Sequence, residues 1–251
     1  MADRIFLAGA AGAIGKRLIP LLRGAGHTVV GTTRSPEKAA ELRSLGAEPV
    51  IVDVFDAPAL MQALKAARAN IVIHQLTDLP KDLDPQLMPA AVVRNARVRR
   101  EGTRNLLAAA LAANARRFIA QSILWAYAPG TEPHAESDPL DTAAEGDRAV
   151  SVRGVIDLEA AVLGTPRLEG VILRYGYLYG PGTHADKPGA TAPLHVDAAA
   201  YAALLAIGRA SPGVFNIAAD NTYATTTKAA RELGWSADFR IADPATRAAG
   251  R

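Results

Sequence analysis

The stretch Ile5-Phe6-Leu7-Ala8-Gly9-Ala10-Ala11-Gly12-Ala13-Ile14-Gly15 restricts this chain more than any other. Ile5 to Ala8 is a short apolar run of the kind that forms a buried parallel strand. It leads into three glycines spaced G-x-x-G-x-x-G, and then into Lys16–Leu22, whose apolar residues recur at helical spacing. Strand, glycine turn and helix in that order meet the demand of a diphosphate for close backbone approach at a helix N-terminus. Gly9 permits the tight turn, Gly12 keeps a side chain out of the anion's space, and Gly15 lets the helix approach the strand. The expected diphosphate site is Gly9, Ala11, Gly12, Ala13, Ile14 and Gly15. An Ala/Gly-rich loop with no ligand is the bland alternative.

Beyond residue 28 strands and helices alternate, which predicts an α/β fold with a doubly wound parallel sheet of six or seven strands. Strands are expected at 28–32, 49–52, 71–74, 117–121, 171–174 and 214–217. Helices are expected at 36–45, 56–67, 90–113, 147–163, 195–209 and 225–233. Ser35 is expected to cap the first of these, with Pro36 at its first position. The loop carrying Pro80, Pro85 and Pro89, and the Pro/Gly/acid-rich stretch 127–146, are long enough to be functional. The whole chain, 1–251, is expected to form a single domain. A small C-terminal substrate lobe is expected from about 176–195 and 218–251.

Bulk properties narrow the classes further. The 251 residues include no cysteine, which excludes disulfides and thiolate metal sites. The five histidines show no metal-ligand spacing, so no metal is expected. The net charge of +3 comes without a basic run, so no nucleic-acid partner is expected. Arg97, Arg100 and Arg104 share a helix face that reads as solvated. Met1-Ala2-Asp3-Arg4 leads straight into the first strand and no apolar run suffices for a membrane span. The expectation is a soluble, cytoplasmic protein.

The tip of the second strand bears on which nucleotide is bound. An acidic residue there selects NAD through the ribose hydroxyl, whereas an arginine accommodates the extra phosphate of NADP. Gly31-Thr32-Thr33-Arg34-Ser35 has no carboxylate. Arg34 offers a planar fork for phosphate, with Thr33, Ser35 and Lys38 as further donors. NADP(H) is therefore expected over NAD(H). Asp53 can accept from an adenine amino group or cap its own turn, and both readings stand. Gln121 closes the fifth strand. Ser122, next to it, can face the nicotinamide end or cap backbone.

These residues together resemble the short-chain dehydrogenase/reductase superfamily in its extended or atypical branch, the NAD-dependent epimerase/dehydratases. The resemblance runs over nearly the whole chain. Asp53-Val54-x-Asp56 is similar to that branch's adenine-binding pair. Val72–Thr77 is similar to its fourth-strand signature, which implies Gln75, Leu76 and Thr77 along the cofactor riboses. Glu101-Gly102-Thr103-Arg104-Asn105-Leu106-Leu107 resembles its G-T-x-N-L-L helix. Leu173–Gly182 resembles its L-R-x-x-x-x-Y-G-P-G stretch, which implies Tyr175 and Gly176 near the nicotinamide. The resemblance implies a Rossmann-type fold and an oxidoreductase or epimerase on a small carbonyl or sugar-type substrate.

The proton-transfer set of that family is missing. Its tyrosine position holds Ser151, its lysine position Val155, its serine position Ile123 and its asparagine position Arg99; no Tyr-x-x-x-Lys occurs anywhere. The expected proton source is then Ser122, Tyr127, Tyr175 or water. A non-catalytic NADP(H)-binding sensor is the alternative. A homodimer through the faces of helices 90–113 and 147–163 is also expected.

Overall fold

The computed structural model describes residues 2–242. Its sheet runs β3-β2-β1-β4-β5-β6-β9, all parallel, from Arg4–Ala8 (β1), Thr28–Thr33 (β2), Glu48–Ile51 (β3), Ile71–His74 (β4), Arg117–Ile123 (β5), Glu169–Tyr175 (β6) and Gly213–Ile217 (β9). This is the Rossmann-type α/β architecture. The strands are β-branched and aromatic because both faces are covered. Along β1 the side chains alternate: Ile5 and Leu7 enter one core, Phe6 and Ala8 the other.

On the first face lie Ala13–Gly24 (α1), Pro36–Ser44 (α2) and Val196–Ala206 (α7). Helix α7 is apolar nearly all round, and its alanines let it lie close against α1. Its one acid, Asp197, is buried and takes both Nε (2.5 Å) and Nη2 (3.1 Å) of Arg17 on α1. The second face carries Ala57–Ala67 (α3), Met88–Arg97 (α4), Thr103–Ala112 (α5) and Gly146–Leu163 (α6). Asp56 caps α3 by accepting from Ala59 N at 3.0 Å.

Two expectations need correction. The helix expected at 90–113 is one run whose middle turn, Val98–Gly102, widens to π geometry. That turn inserts between α6 and the loop after β3: an added Cβ at Gly102 would lie 3.3 Å from Val54. The C-terminal helix is likewise short, with a π turn at Ala229–Leu233. A small parallel pair, Tyr177–Tyr179 (β7) and Pro193–His195 (β8), flanks residues 180–192. A satellite core of Leu124, Tyr127, Ala192, Ala218 and Ala224 ties this region to the sheet end. Residues 243–251 of the proposed lobe lie outside the described residues. Among the described residues no helix is long and apolar enough to cross a membrane.

Strand order reverses between β1 and β4. Ligands of open parallel sheets sit at that switch point, beyond the carboxyl ends of the strands. The glycine turn follows β1 there, and Gln75 follows β4.

Candidate active site

The glycine turn is built by backbone proximity. Gly9 has φ of +89°, and a Cβ on it would lie 2.5 Å from Gln75 O. A Cβ on Gly15 would lie 2.3 Å from Gly9 O, so the helix can approach the turn only with glycine there. Gly12 differs: its Cβ would meet only Gly9 O, at 3.3 Å, and the residue faces the cleft. Gly12 is also the N-cap of α1 and brings no capping side chain; no acid occupies the first turn. The first N–H groups of the helix, on Ala13, Ile14 and Gly15, have no intrahelical acceptor and stay open to an anion.

The cleft beside this turn has a volume of about 480 Å³. It is walled by Gly9, Ala11, Gly12, Thr33, Arg34, Ser35, Lys38, Val54, Leu76 and Thr77, all of them expected from the sequence. Arg34 and Lys38 are exposed at the tip of β2. Ser35 makes no side-chain cap to α2; its hydroxyl donates to the Glu37 carboxylate, and its own N–H goes to Thr33 Oγ1 at 3.1 Å. Glu37 therefore stands next to Arg34 and Lys38 at the cleft, and the hydrogen bond from Ser35 holds its carboxyl below the usual range.

Asp53 does not line the cleft: its Oδ1 accepts from Phe55 N at 2.9 Å, the turn-capping alternative. Phe55 lines it instead, with the Arg97 guanidinium stacked 3.9 Å from its ring centroid. The aromatic residue in Val54-Phe55-Asp56 was the signal for this.

A second cavity of about 380 Å³ adjoins the first through Gln75, Thr77 and Leu79. Ala13, Ile14 and Gln121 line it on the sheet side. Pro80, Asp82 and Leu83 close it from the proline-rich loop, and Leu178, Gly182, Thr183 and His184 from the lobe. Leu178 and Gly182 fall within the Leu173–Gly182 stretch, while Thr183 and His184 were not singled out from the sequence. Gly176 lies outside both cavities. Its smallness serves packing, since a Cβ would fall 2.2 Å from Ala192 O.

The three hydroxyls expected to face this cavity are spent elsewhere. Tyr175 is buried, donates to Ala199 O at 3.1 Å, and accepts from Gln75 Nε2 at 3.4 Å. Burial pushes its pKa far above the usual phenol range. Tyr127 donates to Asn216 Oδ1 at 2.7 Å, stacks on His134, and lies under the Arg174 guanidinium. Burial raises its pKa too, with Arg174 opposing. Ser122 donates to Glu159 Oε1 at 2.7 Å, and Glu159 in turn holds Arg174 through Nε (3.0 Å) and Nη2 (2.7 Å). Ser122, Glu159, Arg174 and Tyr127 thus form one buried network beneath the site. Tertiary packing set these directions, and no local pattern announces them.

His74, at the end of β4, is fully buried with Nε2 3.1 Å from Thr103 Oγ1, and burial lowers its pKa to about 3. It stays neutral and holds the strand end. Gln75 Oε1 is buried and has no hydrogen-bond partner among the described residues. Such an orphan calls for a donor that a bound ligand or water supplies. Open helix amides, a glycine cradle, a cationic strand tip and this orphan at the junction of two cavities fit a pyridine dinucleotide laid across the switch point.

Fold and cleft define the NAD(P)-binding Rossmann class. The sequence matches the NAD dependent epimerase/dehydratase family over residues 5–239, and the chain belongs to that family. It is 38% identical over 238 residues to a 3-diazoavenalumate denitrifying reductase from a Streptomyces species, covering 86% of this chain and 76% of that one. Among solved structures it is similar to UDP-glucose 4-epimerase from Thermotoga maritima, with TM-score 0.74, 18% identity and 94% of each chain covered. It is also similar to MoeE5, solved with UDP-glucuronic acid and NAD, with TM-score 0.73, 21% identity and 94% of each chain covered. At these identities the structural likenesses speak for the fold alone.

Proposed function

We propose that the protein is an NADP(H)-dependent reductase of a small organic acceptor, working without a proton donor from the protein. One observation carries this reading: the cleft beside the glycine turn pairs a cationic strand tip with open helix amides, while Ser122, Tyr127 and Tyr175 all point their hydroxyls into buried networks. Ala13, Ile14 and Gly15 hold the diphosphate through their amides. Thr33, Arg34 and Lys38 receive the 2′-phosphate, and Leu76 and Thr77 flank the ribose. Gln75 and Gln121 border the nicotinamide end, where the reduced coenzyme supplies a hydride.

The acceptor enters the 380 Å³ cavity between Leu83 and His184, room for one ring with a short chain. The Streptomyces relative is named for removing nitrogen from a diazo acid. That chemistry suits a site without an acid. Hydride adds to the terminal nitrogen of an aryldiazonium and a π pair settles on the inner nitrogen. The N–H proton then passes to water, the C–N bond breaks with its pair left on the ring carbon as N2 departs, and water returns a proton to that carbon, so the protein supplies none. A diazo-substituted aromatic acid is therefore the acceptor we favour, ahead of the carbonyl and sugar substrates expected from the sequence. The family and the reductase relative support an enzyme over the sensor. The homodimer remains a proposal, resting on Val93 of α4 (61% exposed) and Val150 of α6 (36% exposed).

The test is NADPH oxidation with a diazo aromatic acid, matched aldehydes and UDP-sugars, with N2 release measured in parallel. Turnover of the diazo acid is expected. Loss of a general acid costs about 10²–10⁴-fold, so folded Tyr127→Phe and Tyr175→Phe should stay within about tenfold of the parent. Abolition by either change, or turnover of UDP-sugars alone, removes this reading.

A separate expectation concerns the strand tip. Arg34→Asp should weaken NADPH by about 10–100-fold while NADH is little changed, because a charge-assisted phosphate contact is worth about 1.5–3 kcal/mol. Calorimetric affinities for both coenzymes check it. An unchanged ratio takes Arg34 out of the site.

A further inference from the structure

Among the described residues, Gln75 Oε1 is the buried side-chain polar atom left without a hydrogen-bond partner. Gln75 is 5% exposed and follows β4 directly. It walls both the cleft beside the glycine turn and the smaller cavity. Thr77 and Leu79 are the other residues common to the two, and both are exposed. The orphan thus belongs to the junction between the two spaces. It is costly there, because a buried acceptor has given up its hydrogen bonds to water.

A chain of hydrogen bonds decides which end of the amide is left over. The Tyr175 hydroxyl lies 3.1 Å from Ala199 O, and a carbonyl oxygen can only accept, so the single phenol proton goes there. Burial keeps that proton on the phenol. Towards Gln75 the phenol oxygen can then only accept, which turns Nε2 to it at 3.4 Å and leaves Oε1 over. A glutamine amide can offer a donor or an acceptor. Packing among β4, β6 and α7 has made this one an acceptor.

We propose that Gln75 Oε1 is a fixed acceptor for an uncharged donor on the nicotinamide riboside half of the coenzyme. That donor is either the carboxamide N–H of the ring or a hydroxyl of the ribose. The assignment rests on the dinucleotide reading above, in which one molecule reaches from the glycine turn into the smaller cavity and so crosses the junction that Gln75 walls. Both donors are present in oxidised and reduced coenzyme alike. The contact therefore sets how tightly and in which orientation the ring end is held, and it favours neither redox state.

Calorimetry on the full-length protein compares three ligands. They are NADP+, its 3-acetylpyridine analogue (a methyl ketone replaces the carboxamide) and 2′-phospho-ADP-ribose, which keeps the terminal ribose and lacks the ring. The variants are Gln75→Leu and Gln75→Met, the second nearly of the parent's length in case leucine packs badly. Either should bind NADP+ at least about fivefold more weakly than the parent, because the donor on the ligand is left without its acceptor. Ligand-free Tm should hold or rise, since the change removes an unpaired acceptor. If the carboxamide is the donor, the parent prefers NADP+ to the acetylpyridine analogue by at least about fivefold, and the variants lose that preference while 2′-phospho-ADP-ribose binds as before. If a ribose hydroxyl is the donor, all three ligands weaken together. Unchanged affinity for all three in both variants would leave the orphan to a bound water and overturn the proposal. A parent that binds no pyridine nucleotide overturns the dinucleotide reading with it. A parent that binds NADP+ in this Gln75-dependent way but turns over no acceptor faults the reductase reading alone.

Discussion

Gly15→Ala and Gly12→Ala are expected to fail in opposite ways. At Gly15 the new methyl would lie 2.3 Å from Gly9 O and 2.6 Å from Ala10 O, both backbone atoms of a turn already fixed by β1. The helix must withdraw, and overpacking of this kind costs about 1–3 kcal/mol or more. For a chain of this size that lowers Tm by about 2–12 °C, and dinucleotide binding should fall with it. At Gly12 the methyl meets one atom at 3.3 Å and otherwise points into the cleft. Tm should stay within about 2 °C of the parent, since substitutions away from packed features stay within about 0.5 kcal/mol. NADPH affinity should nonetheless fall by more than about tenfold, because the diphosphate can no longer reach the helix amides. Thermal melts and calorimetry on the two variants separate fold from site. Equal losses of stability, or full binding by Gly12→Ala, would show that the turn does not hold the diphosphate.

Glu159→Ala should be the most destabilising single change in the buried network. Glu159 takes two hydrogen bonds from Arg174 and one from Ser122. Removing it leaves a guanidinium buried and only weakly satisfied by Glu136 O at 3.3 Å. Breaking one partner of a buried pair costs about 3–5 kcal/mol. Ser122→Ala should cost only about 0.5–1.5 kcal/mol, the usual net worth of one hydrogen bond. The double variant Glu159→Leu with Arg174→Met should recover most of the loss, since an apolar pair carries no stranded charge. Urea unfolding decides the matter: a cost below about 1 kcal/mol for Glu159→Ala would mean that the network relaxes and that water solvates Arg174.

The two variant sets also show which parts of the protein its sequence displays. Gly9, Gly12 and Gly15 were legible because a backbone constraint acts within a few residues, and strand–turn–helix order confirms it. The sheet was legible because doubly covered strands read as apolar runs. Arg34 and Lys38 followed from their position at the tip of β2. Side-chain direction was a different matter. Tyr127, Tyr175 and Ser122 sit close to the site in the chain, but partners 24–89 residues away decide where their hydroxyls point. Asp53 accepts from Phe55 N, two residues on, as its turn-capping alternative has it. Gly176, placed near the nicotinamide by the resemblance, lies outside both cavities, and its smallness is set by Ala192 O. The widening of the helix at Val98–Gly102 has no compositional mark at all.

The two cavities draw on different stretches of polypeptide. Apart from Val98 and Leu106, every residue around the larger one precedes position 80, whereas the smaller one borrows residues 80–83, 121 and 178–184. On the reading proposed above, most of the coenzyme grip comes from one early block, and the choice of acceptor falls to later loops. A gene of this type can acquire new chemistry by rewriting about a dozen codons in its distal segments.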